Sequence, residues 1–83
     1  MTNDEILNDI KSYRKNVLGE TQTVFWKRFG LTQPGGSLYE KGLKIPAPTA
    51  LLIILFANEY ISPSELDTLL STIRNNKNIS IAD

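Results

Sequence analysis

Two threonine–glutamine pairs, Thr21-Gln22 and Thr32-Gln33, each stand at the head of a stretch with helical character. A glutamine in the first turn of a helix can pair twice with an adenine edge in the major groove. The backbone N–H groups beside it sit at the positive end of a helix dipole, where a phosphate can be received. The second pair opens the run Leu31-Thr32-Gln33-Pro34-Gly35-Gly36-Ser37-Leu38-Tyr39-Glu40-Lys41-Gly42, which places proline and two glycines inside a short helix. Lys41 and Lys44 follow and add to a basic middle segment. A plainer account exists for each: Gln33 and Ser37 as ordinary capping and solvent-facing residues, Lys27 and Arg28 as a solvated helix face.

Other chemistries are poorly served. The chain has neither histidine nor cysteine, which removes the usual general base, thiolate metal sites, disulfides and every Ser-His or Cys-His arrangement. An enzyme would have to run on carboxylates or lysine alone, so a non-enzymatic protein without cofactor or metal is expected. Pro34-Gly35-Gly36 is not a phosphate-cradling nucleotide loop, because it lacks the G-K-[ST] ending and a preceding strand.

Net charge is zero, yet it is unevenly spread. Residues 1–10 carry Asp4, Glu5 and Asp9 and no base. Residues 11–44 carry Lys11, Arg14, Lys15, Lys27, Arg28, Lys41 and Lys44 against Glu20 and Glu40. Residues 45–83 carry Arg74 and Lys77 against Glu59, Glu65, Asp67 and Asp83. A basic middle between acidic ends is compatible with phosphate binding. The opening Thr2-Asn3-Asp4-Glu5 is too polar for a signal peptide. The longest apolar run, residues 50–57, is far short of the ~20 residues of a membrane span. A cytoplasmic protein with no membrane association is the expectation.

The elements that must position the glutamines follow from periodicity. Asn3 or Asp4 can cap a first helix with Ile6, Ile10, Tyr13 and Val17 on one stripe and Gly19 as its stop. Thr21 caps a second, in which Val24, Phe25, Trp26 and Phe29 are apolar, and Gly30 suits its left-handed end. Thr32 caps the third, stopped by Gly42. Two prolines hold residues 43–48 extended. Pro48 starts a fourth helix, apolar almost all round through Leu51, Leu52, Ile54, Leu55 and Phe56, which reads as the buried central one. Ser62-Pro63-Ser64-Glu65 is a capping box for a fifth, with Leu66, Leu69, Leu70 and Ile73 on one side. The expectation is an all-α, compact five-helix bundle over residues 1–76. Residues 77–83 form a polar tail or a short arm through Ile79 and Ile81.

The joint spacing of Thr21-Gln22, Phe25, Gly30-Leu31-Thr32-Gln33, Tyr39-Glu40, Gly42 and Pro46 resembles the helix-turn-helix of Xre-type regulators, the family of the lambdoid phage repressors and Cro proteins. The resemblance runs without a gap from Thr21 to about Pro48. It implies a lambda repressor-like fold and a DNA site made of Gln22, Thr32, Gln33, Pro34, Gly35, Ser37, Leu38, Lys41 and Lys44. Gln22 would hold a phosphate, Gln33 would reach base or backbone, and Pro34, Ser37 and Leu38 would face base edges. Lys41 and Lys44 would grip the backbone, while Tyr39 and Glu40 brace the fold. Four positions depart from the family pattern: Trp26 replaces a usual alanine, Gly36 replaces a usual Val or Ile, Leu38 takes an often polar slot, and Arg14 is one residue off register. The first two imply that the indole fills the space left at Gly36.

Two functions follow as expectations. The first is a sequence-specific transcriptional repressor that binds an inverted repeat in double-stranded DNA as a homodimer. Its dimer surface would be the fifth helix and the Ile79-Ser80-Ile81 arm. The second is a protein-interaction module on the same scaffold, such as an antitoxin or a phage-type inhibitor.

Overall fold

Helix boundaries in this chain are set by side chains that satisfy the free N–H groups of the first turn. The computed structural model describes residues 1–80, and among these every regular element is helical. Helix α1 (Asn3–Asn8) is capped by Thr2, one residue before the expected cap. The Thr2 hydroxyl accepts the Glu5 N–H while the Glu5 carboxylate accepts the Thr2 N–H. The chain then breaks at Asp9 (φ −140°, ψ 66°), whose carboxylate accepts the Ser12 N–H and restarts the helix as α2 (Ile10–Ser12). This continues into a π-helical stretch, Tyr13–Leu18, that ends at left-handed Gly19. The first of the five expected helices is therefore three consecutive pieces.

The π-helical stretch accounts for the displaced Arg14. Each π turn holds about one residue more than an α turn, so a one-residue offset is absorbed by widening the helix. Arg14 is thereby delivered to the core side, where it is buried.

The motif helices follow: α3 (Gln22–Lys27), capped by Thr21, and α4 (Gln33–Glu40), capped by Thr32. Between them the Gly30 N–H donates to the Lys27 carbonyl and the Leu31 N–H to that of Trp26. Gly30 has φ +81°, the left-handed conformation expected of it. Proline in the first turn of α4 costs little, because its missing N–H would have had no helical partner.

Helix α5 (Ala47–Ala57) starts after the extended Pro46, and α6 (Pro63–Arg74) starts with the expected Ser62–Glu65 capping box. The core joins Ile6, Ile10 and Tyr13 to Phe25, Trp26 and Phe29, closed by Ile53 and Leu66. Phe25 is its hub, with edge-on ring contacts to Tyr13, Trp26 and Phe29 at 6.2, 5.0 and 5.2 Å.

Two expectations about burial fail. Helix α5 is not a buried central helix: only Ile53 is fully enclosed, and Leu51 is 65% exposed. Its neighbours cover one side, so an all-round apolar sequence marks a helix with an uncovered face. On the first helical stretch, Val17 likewise faces outward, because the π turn rotates it off the Ile6–Tyr13 stripe.

Candidate nucleic-acid interface

The site grows from Glu40, the last residue of α4. Its side chain is 3% exposed and accepts four hydrogen bonds from three residues on two elements, the π-helical stretch and α3. Arg14 donates through Nε to Oε2 and through its second terminal nitrogen to Oε1, both at 2.9 Å. The Trp26 indole donates to Oε2 at 2.7 Å, and the Gln22 amide to Oε1 at 3.0 Å. The remaining Arg14 terminal nitrogen donates to the Glu20 carbonyl at 2.7 Å. A buried ion pair is tolerable only when its other donors and acceptors are met, and here the guanidinium is satisfied on all three nitrogens. Burial pushes the Glu40 pKa up, but the hydrogen bonds from Arg14, Gln22 and Trp26 and the Arg14 charge outweigh it, leaving the carboxyl below its ordinary value.

From Glu40 the network runs outward. Gln22 spends its amide N–H on Glu40, so its carbonyl oxygen points the other way and accepts the Gln33 amide at 2.6 Å. The two glutamines that open α3 and α4 are thus joined, and their amide orientations are set by a buried carboxylate. Gln33 keeps its own carbonyl oxygen and a second N–H for an outside partner. It stands exposed, with Gln22 half-buried beneath it.

The other expected residues distribute around this pair. Thr32 accepts the Gly35 N–H as cap, Pro34 is exposed in the first turn, and Ser37 is half-buried one turn on. Leu38 is 52% exposed. Lys41 caps the end of α4, and Lys44 lies in the extended segment beyond; both are exposed. Gly35 is half-buried and Gly36 is buried against Trp26, whose ring would overlap any Cβ placed there. The indole does occupy the space that a larger residue at 36 would need. Tyr39 packs on the same ring, with centroids 5.5 Å apart.

A family model described as the RsaL-like helix-turn-helix domain matches residues 11–56, more than half the chain. The chain belongs to this family. No curated protein and no solved structure matches it. The RsaL-like match starts ten residues before the Thr21 at which the motif became legible, and so takes in Arg14 and the π turn. A helix-turn-helix domain of this kind points to a DNA-binding regulator and is typically not an enzyme. Among the described residues no helix is long and apolar enough to cross a membrane.

Glu40 braces the fold as expected, but the partners through which it does so are not legible in the sequence. They lie 14, 18 and 26 residues away and follow no local pattern. One signal was available: a buried indole N–H needs an acceptor, and no other acidic residue falls within the motif helices.

Proposed function

We propose that this RsaL-like chain is a sequence-specific DNA-binding transcriptional repressor that inserts α4 into the major groove. The observation that carries the reading is the Gln22–Gln33 pair. The first turns of both motif helices present amides side by side at the surface, fixed from beneath by Glu40. In the complex, Gln33 reads a base edge or holds the backbone, and Gln22 binds the adjoining phosphate. Pro34, Gly35, Ser37 and Leu38 line the groove, Thr32 stands at its entrance, and Lys41 and Lys44 grip the backbone.

The unit binds as a homodimer on an inverted repeat, with half-sites about one helical turn apart. Support for association comes from apolar side chains left outside the core: Leu51 and Leu55 on α5, Leu69 and Ile73 on α6, and Ile79 beyond it. Residues 1–76 serve as the DNA-binding unit and 77–83 as the arm; Ile81 of that arm lies outside the described residues. The test is a gel-shift titration against a duplex from the upstream region of its own gene, with sedimentation to count protomers. A shift that weakens with salt and depends on sequence is expected, and its absence refutes the reading.

One observation favours a second reading. Leu38 and Leu43, both more than half exposed, put apolar surface on and just after α4. An antitoxin-like module would use that surface to hold a protein, and co-purification of a partner lost on Leu38→Asp, without DNA affinity, would establish it.

A further inference from the structure

Two cations far apart in the sequence line one cleft beside the start of α4. Lys27, the last residue of α3, and Arg74, the last residue of α6, line one cleft of about 300 Å³ with Thr23, Thr32 and Gln33. Among the described residues the ion pairs are Arg14–Glu40 and Arg28–Glu20, and neither Lys27 nor Arg74 enters one. No carboxylate lines the cleft. Asp67 lies in the neighbouring depression on the far side of the two cations, together with Arg28.

The polar chemistry of the cleft is almost wholly that of a donor. The ammonium and guanidinium groups can only donate. The Thr32 oxygen already accepts the Gly35 N–H, which leaves its hydroxyl hydrogen free to turn outward. Thr23 is exposed and adds a second hydroxyl. Two cations from helices far apart in sequence thus line one cleft, with no acid in its lining. The cleft therefore presents positive charge and hydrogen-bond donors to an anion that enters it.

We propose that this cleft is a phosphate seat, in which Lys27 and Arg74 together hold a DNA phosphate beside the first turn of α4. The proposal rests on the DNA-binding reading and extends it, because Arg74 lies outside residues 11–56 and so outside the helix-turn-helix match. Lys41 and Lys44 stand past the far end of α4. The new seat places a second grip at its beginning, so the helix is bracketed by backbone contacts. Helix α6 thereby becomes part of the DNA surface through its last residue.

The test compares wild type, K27Q, R74Q, the double variant and the conservative K27R/R74K. Binding is titrated between low and moderate salt on two duplexes, one of random sequence and one from the upstream region. Each lost phosphate contact lowers the slope of log K against log salt by about 0.9. The double variant should therefore lose about 0.9 from the slope on both duplexes, K27R/R74K should keep it, and preference between the duplexes should not change. Both side chains are exposed; if the double variant nevertheless fails to fold, the single variants carry the test, each lowering the slope on both duplexes by up to about 0.9. A wild type whose binding ignores salt removes the DNA reading and this proposal with it. A salt-sensitive wild type whose slope survives in the double variant overturns the proposal alone, and so does a loss confined to the upstream duplex.

Discussion

Gly36→Val is the substitution most sharply constrained by the structure. A Cβ at Gly36 falls within the van der Waals envelope of Trp26 Cγ, Cδ1 and Cδ2, atoms at the base of the indole rather than at a flexible tip. The ring cannot retreat. It is fully buried, its N–H is held by Glu40, and Phe25 and Tyr39 pack on it at 5.0 and 5.5 Å. Overpacking a tight core costs about 1–3 kcal/mol, and this case belongs at the upper end. Replacing a mid-helix glycine returns under about 1 kcal/mol of helix propensity, so Gly36→Val should lose about 2–3 kcal/mol. Trp26→Ala alone should lose about 3–5 kcal/mol. If the two were independent, the double variant would lose about 5–8 kcal/mol and, for a chain of this size, little would remain folded. The packing says otherwise: with the indole gone, valine enters vacated space. The double variant should be no less stable than Trp26→Ala alone. Urea unfolding followed by far-ultraviolet circular dichroism, which does not need the tryptophan, reads all three. Additive losses, or a Gly36→Val protein as stable as wild type, would refute the packing argument.

Glu40→Gln should cost about 3–5 kcal/mol by leaving the buried Arg14 guanidinium without its carboxylate, and it should also release the orientation of Gln22. Chemical unfolding measures the first effect and DNA affinity of the folded fraction the second. Because the Glu40 pKa is lowered on folding, its contribution is present above the unfolded-state value near 4.5. That contribution is lost as pH falls through the lower folded-state value, so acid unfolding of wild type should steepen below pH 4.5 and be blunted in Glu40→Gln. Ser62→Ala, which removes the cap of α6, should cost about 1 kcal/mol in thermal unfolding and leave DNA affinity untouched. Gly35→Leu, at a half-buried position on the first turn of α4, should weaken binding to the upstream duplex more than it lowers the unfolding midpoint. The reverse order would place Gly35 away from DNA.

What could be read in the sequence was the local part. The Thr21, Thr32 and Ser62 caps, the left-handed Gly30 and the coupling of Trp26 with Gly36 each depend on residues close in the chain or on one motif's spacing. What escaped was non-local. The exposed side of α5 could not be seen, because hydropathy reports what a helix would prefer to bury and not whether a neighbour exists to cover it. The convergence of Arg14, Gln22 and Trp26 on Glu40 needed the fold itself.

Arg14 shows how far these two kinds of information depend on each other. By spacing it stood one residue out of register, which by itself argues against a structural partner in the motif. The break at Asp9 and the π-helical stretch Tyr13–Leu18 change the helix rather than the contact, and Arg14 reaches Glu40 through two bonds of 2.9 Å. A π turn is less favourable than an α turn, so it persists only where something fixes the irregular geometry. Here the fixing contacts are the Arg14–Glu40 pair on one side and, on the other, the Arg14 carbonyl, which accepts the N–H groups of both Gly19 and Glu20. Removing one residue from within the π-helical stretch, between Arg14 and Gly19, should therefore not simply regularise the helix. It should rotate Arg14 away from Glu40 and destabilise the domain, which urea unfolding would read as a lower midpoint.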